Sequence, residues 1–115
     1  MALNYNLSKV YAISDNDLEF ARQIVVLFTE EVPIEIKNIR KGFEDKDYER
    51  VYHAAHKIKP TLDLLGMDLA YEDVIAIENW TRQKGKRREI REVVESLKEL
   101  VSLTLKEIKK DYELS

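Results

Sequence analysis

Apolar residues recur every three or four positions through almost the whole of this chain, and the residues that would interrupt such a pattern are scarce: three Gly and two Pro in 115 positions. A period of three to four makes one face of an α-helix apolar, whereas a half-buried strand needs strict alternation. With so few turn-formers the chain cannot be cut into many short strands. The pattern therefore predicts an all-α protein of long helices joined by short loops.

From Asp17 onward Leu18, Ala21, Ile24, Val25, Leu27 and Phe28 keep helical spacing, with Ser14, Asp15 and Asp17 as candidate N-terminal caps. Pro33 falls inside the continuing stripe of Val32, Ile36, Ile39 and Phe43, which predicts either a kink or a short break between two helical pieces, ended by Gly42 and the Asp and Lys residues after it. The next helix should start near Asp45 or Asp47, carry Tyr48, Val51, Tyr52, Ala55, Ile58, Leu62 and Leu65, and stop at Gly66 as its C-terminal cap. Asp68 is a candidate cap for a helix with Ala70, Val74, Ile77 and Trp80, which runs to the polar stretch from Gln83 to Arg88. A last long amphipathic helix carries Ile90, Val93, Val94, Leu97, Leu100, Val101, Thr104, Leu105 and Ile108 on one side. Such helices with short connections have one economical arrangement, an antiparallel four-helix bundle, preceded here by a short N-terminal helix around Leu7 to Tyr11. Residues 1–115 read as a single domain.

Composition narrows the function classes. A formal net charge of −3 gives neither nucleic acid nor an anionic membrane a reason to attract the chain as a whole. The absence of cysteine excludes disulfides, thiolate metal sites and cysteine nucleophiles, and fits a reducing compartment, so a cytoplasmic location is expected. No apolar run approaches the roughly 20 residues that span a bilayer, and Met1 to Ser14 lacks a charged segment followed by an apolar one, which predicts a soluble, unprocessed chain.

The chemistry concentrates in Ala54-Ala55-His56-Lys57-Ile58-Lys59-Pro60-Thr61-Leu62-Asp63-Leu64-Leu65-Gly66. At about 100° per residue, His56 follows the core position Ala55 onto the outward face, with Lys59 one turn on and Asp63 two turns on. A neutral imidazole, with a reference pKa of about 6.5, is a competent phosphoryl acceptor near neutral pH. Side chains at i and i+3 are neighbours on a helix, so Lys59 is placed to offset the negative charge of an incoming phosphoryl group, with Lys57 adding a more diffuse field. Asp63, about 11 Å along the axis, is too far to join them. Because phosphoryl transfer is mostly positioning and electrostatic stabilisation, a partner bringing an aspartyl phosphate and Mg²⁺ would supply the remainder.

Other candidates carry less. His53 and His56 are three apart, yet no further His or Cys exists to complete a metal shell. Lys84, Lys86, Arg87 and Arg88 form the one basic cluster, in what reads as a solvated loop. Trp80 and the six tyrosines suit a core better than a ligand pocket.

The spacing of His56, Lys59 and Gly66 resembles the signature of histidine-containing phosphotransfer domains, in which a His, a Lys three positions later and a Gly ten positions later recur. Phe28, Pro33 and Ile36 upstream and Ile77-Glu78 downstream resemble that family's helix patterning, and the likeness covers roughly residues 7–110. The resemblance implies a four-helix bundle, His56 as phosphorylation site, Lys59 as its electrostatic helper, and docking of response-regulator receiver domains, such as those of a hybrid histidine kinase and a downstream regulator, around the second and third helices. It further implies a monomeric phosphocarrier without catalysis of its own, Mg²⁺ residing in the receiver. One position departs from the pattern: Pro60 stands where the family usually has Gly, which removes an amide that would bond the carbonyl of His56 and predicts a bent but continuous helix there. Two other readings fit the same pattern, a non-phosphorylated bundle that binds and modulates a receiver or kinase, and a helical adaptor unrelated to signalling.

Overall fold

The computed structural model describes residues 4–114. Among them five helices follow one another with no strand: α1 (Ser8–Ser14), α2 (Leu18–Asp45), α3 (Tyr48–Leu64), α4 (Asp68–Gln83) and α5 (Arg87–Asp111). Connections of two or three residues between successive helices reverse the chain each time. Helix α2 packs on α3 and α5, α4 packs on the same two, and α1 lies against α2. The result is the expected antiparallel four-helix bundle with a short additional N-terminal helix. At about 1.5 Å per residue α2 alone is about 42 Å long, and it sets the 43 Å longest dimension of the molecule.

The stripes read from the sequence meet in one core built on Phe28, Ile39, Val51, Ile58, Leu62, Ile77, Leu97 and Ile108, all 3% exposed or less. Leu18 and Leu27 do not join it and are 74% and 39% exposed. The buried line of α2 runs through Ala21, Val25, Phe28 and Val32. Leu18 is the first residue of the helix, ahead of that line, and Leu27 is rotated about 100° from Phe28. Trp80 fills the core at the α4–α5 end, its ring against Tyr48 (centroids 4.9 Å apart) and Phe43 (6.0 Å), while its indole N–H donates to the carbonyl of Lys86 at 2.9 Å. The basic cluster belongs to the same corner: Arg87 donates to the carbonyl of Glu44 at 3.0 Å, and Glu89 accepts from the backbone N–H of Lys86 at 2.6 Å, opening α5.

At Pro33 one of two alternatives falls away, and two expectations about helix ends need correction. Helix α2 passes through Pro33 without a break, because Val32 and Ile36 are buried on either side of it and their burial outweighs one lost hydrogen bond. Gly42 itself does not end α2, but the Asp and Lys after it do. The helix continues to Asp45 and closes where Lys46 adopts φ 53°, the N–H groups of Lys46 and Asp47 returning to the carbonyls of Phe43 and Gly42. Asp68 is the first residue of α4 rather than its cap, and the cap position, Met67, offers no side-chain acceptor. Its negative charge still complements the helix dipole. By contrast Asp17 caps α2, its Oδ1 accepting from the N–H groups of Glu19 (3.0 Å) and Phe20 (3.1 Å), and Asp47 caps α3.

Two of the three glycines act in different ways. Gly66, at φ +62°, ends α3 as expected, and its N–H and that of Met67 bond the carbonyls of Asp63 and Leu62 at 3.0 Å each. Gly42 instead permits contact: a β-carbon there would lie 2.7 Å from Cγ2 of Val51 and 3.2 Å from the carbonyl oxygen of Asp47. Val51 is fully buried and cannot yield. Gly42→Ala is therefore expected to lower unfolding free energy by about 1–3 kcal/mol through overpacking, read by urea denaturation with an unchanged m-value.

Candidate functional site

Helices α3 and α4 run antiparallel, so residues ascending on one face residues descending on the other. Opposite His56 and Lys59 stands Glu78, which occupies an inward position beside Ile77 and is only 2% exposed. Its carboxylate bridges the two: Oε2 lies 3.0 Å from Nδ1 of His56, and Oε1 accepts from Nζ of Lys59 at 2.9 Å. The His56 side chain is 59% exposed and that of Lys59 22%. An accessible imidazole is thus anchored from below by a buried carboxylate that a half-sheltered ammonium also holds.

Burial by itself pushes the Glu78 carboxyl up, but the hydrogen bonds from Lys59 and His56 and their charges overcome it and hold the group below the ordinary 4.5. Glu78 is consequently ionised near neutral pH and can only accept hydrogen bonds. That assigns the proton on the neutral imidazole to Nδ1, which donates to Glu78, and leaves the lone pair on Nε2. Tyr52, one turn before His56 on α3, lies nearly parallel to the imidazole, with ring centroids 5.6 Å apart and planes 12° apart.

The neighbours of the motif are placed as follows. Lys57 reaches back to α2, where its Nζ is 3.1 Å from Oε2 of Glu35. Asn38 donates to the same carboxylate at 3.0 Å. Asp63 points to the N-terminal end of the chain and pairs with Lys9 at 2.6 Å, away from His56. Helix α3 is unbroken from Tyr48 to Leu64, so Pro60 does not interrupt it. Pro60 lies on the exposed side, where solvent can reach the carbonyl that lost its donor. Among the described residues no three His, Cys, Asp or Glu side chains gather to hold a metal, and no helix is long and apolar enough to cross a membrane.

The sequence pattern of the Hpt domain matches residues 23–108, most of the chain. The protein belongs to the Hpt domain family. No curated protein and no solved structure matches it. Membership places this Hpt domain in two-component signalling, where such domains carry phosphoryl groups and interact with receiver domains. The matched segment contains His56, Lys59, Gly66 and Glu78.

Reasoning from spacing alone brought His56 and Lys59 together but missed the role of Glu78, which enters only as part of the helix patterning. A signal was present. In the stripe of Val74, Ile77, Trp80 and Thr81, Glu78 puts a carboxylate among buried positions, and a buried carboxylate requires partners.

Linkage gives a test of this carboxylate. With its folded pKa below 4.5, Glu78 contributes stability that is complete above that value and is lost as pH falls through the depressed one. Glu78→Gln is expected to be about 1–3 kcal/mol less stable than the unaltered protein near neutral pH. The gap should narrow steadily on acidification below 4.5, as followed by urea denaturation across a pH series.

Proposed function

We propose that this Hpt domain is a phosphorelay intermediate in which His56 accepts a phosphoryl group from the aspartyl phosphate of one receiver domain and passes it to the aspartate of another. The observation that carries the reading is the bond between Nδ1 of His56 and the buried carboxylate of Glu78, on an imidazole that is otherwise open to solvent. That bond leaves Nε2 as the nucleophilic nitrogen. Its lone pair attacks phosphorus, an N–P bond forms, and the P–O bond to the receiver's carboxylate breaks, the bonding pair departing with the carboxylate. The imidazole then carries a positive charge, which Glu78 meets directly at Nδ1. Passing the group to a second receiver reverses these steps, with that receiver's carboxylate as nucleophile.

Lys59, one turn along α3 from His56 and bonded to Glu78, would offset the charge of a phosphoryl group on the neighbouring imidazole. In the receiver-bound state Mg²⁺ held by the receiver neutralises further phosphoryl charge. On this reading the chain contributes nucleophile, tautomer and one cation, and has no phosphotransfer activity in isolation. It acts as a monomer in the cytoplasm, in keeping with the absence of cysteine.

Incubation with a receiver carrying labelled phosphoryl groups tests this. The unaltered chain should acquire acid-labile, alkali-stable label on His56, and His56→Gln should acquire none while keeping its helix content. Lys59→Ala should still bind the receiver but accept label about ten- to a hundredfold more slowly, the scale of one lost charge-assisted hydrogen bond. Binding of a receiver that demonstrably carries phosphate, with no transfer, would instead favour a steric interaction module.

A further inference from the structure

A single hydrogen bond restrains an imidazole nitrogen only within the breadth of its length and angle, so the ring plane can still rock about the Cβ–Cγ bond. The Nε2 lone pair lies in that plane, so the plane decides where an incoming phosphorus atom must stand. Tyr52 supplies the missing constraint. Residues four apart on a helix are neighbours, and the Tyr52 and His56 rings, 5.6 Å apart at 12°, form an offset parallel pair in the attractive range for aromatic groups.

The tyrosine ring is itself held from α4. The Arg82 guanidinium lies over it, 5.5 Å from the centroid, and Nη1 of Arg82 donates to Oδ1 of Asn79 at 3.2 Å. His53 meets the same ring edge-on, with centroids 5.9 Å apart and planes at 72°. Tyr52 is only partly buried, and these three ring partners, His53, His56 and Arg82, are exposed. Its contacts therefore serve the surface around the nucleophile. Arg82 lies one turn beyond Glu78 on α4, as Tyr52 lies one turn before His56 on α3. The antiparallel pair thus grips the imidazole twice, at Nδ1 through Glu78 and at the ring plane through Arg82 and Tyr52.

We infer that Tyr52 is a positioning residue for phosphoryl acceptance, its ring, held by Arg82, fixing the plane of the His56 imidazole while Glu78 fixes its tautomer. The inference rests on His56 being the phosphoryl acceptor and assigns Tyr52 no bond-making part. What the stack requires is the ring, so phenylalanine can replace tyrosine and alanine cannot.

The test is single-turnover transfer from a labelled receiver in varied excess, which separates the maximal transfer rate from the half-saturating receiver concentration, together with ¹⁵N NMR of the His56 ring. Tyr52→Ala should lower the maximal rate about three- to tenfold, the contribution of one aromatic pair. Its half-saturating concentration and the Nδ1–H tautomer should be retained, and Tyr52→Phe should transfer at close to the unaltered rate. An unchanged maximal rate in Tyr52→Ala, an equal loss in Tyr52→Phe, or a loss confined to the half-saturating concentration would overturn the proposal. Should Tyr52→Ala fail to fold, Arg82→Gln decides, with a smaller fall in maximal rate expected and no fall overturning it. An unaltered protein that takes no phosphate removes the relay reading and this inference together, whereas normal transfer by the unaltered protein and by Tyr52→Ala removes the inference alone.

Discussion

A carboxylate enclosed in a helical bundle is stable there only if hydrogen bonds and opposite charge replace the water it has lost, and in this protein that requirement falls on Glu78. It is met from one neighbouring helix, by Lys59 at 2.9 Å and His56 at 3.0 Å. Because both partners lie on α3 and the acceptor on α4, the arrangement fixes the relative placement of the two helices as well as the chemistry of the imidazole. A slip of one residue along α4 would carry the carboxylate about 100° around its axis and out of reach of both. The short connection through Gly66, whose backbone turns at φ +62°, holds that alignment at the near end. The packing of Trp80 against Tyr48 holds it at the far end.

The dependence also runs the other way. Lys59 is 22% exposed, too sheltered to be an ordinary solvated lysine, and without Glu78 its charge would lack a counterion at close range. The buried acid therefore keeps a cation beside His56. On the proposed relay an arriving phosphoryl group would give the ammonium a second anion to face, and the phosphorylated imidazolium would meet the other oxygen of Glu78. On the proposed relay the same three side chains, His56, Lys59 and Glu78, would serve the free and the phosphorylated site alike.

The bundle was legible in the sequence because it follows from periodicity. Stripes such as Val51, Ala55, Ile58 and Leu62 admit one helical face, and loops of two or three residues admit one way to pack four such faces. His56 and Lys59 were legible because their spacing is local to one helix. What stayed hidden was what depends on register between helices. Glu78 and Arg82 are 22 and 26 positions from His56 in the chain, and no single-helix pattern says which residue of α4 lies opposite which residue of α3. A break at Pro33 and an end at Gly42 failed to appear for a related reason. Both residues are helix breakers by local propensity, and both sit where tertiary contacts, the burial of Val32 and Ile36 and the close approach of Val51, outweigh that propensity.

Pro60 belongs to the same argument, although here local chemistry and function meet. The proline removes the amide that would serve the carbonyl of His56, yet α3 continues to Leu64 because Ile58 and Leu62 remain buried on either side of it. The cost falls on the exposed side, where water can take the place of the lost donor. Proline also restricts the backbone of the residue before it, which is Lys59. The backbone from which the lysine side chain departs is thereby stiffened near His56, while Glu78 fixes where the side chain ends. The least flexible residue thus stands beside Lys59, and the site remains intact because it is held by the packing of α3 and by the buried carboxylate of Glu78 beneath it.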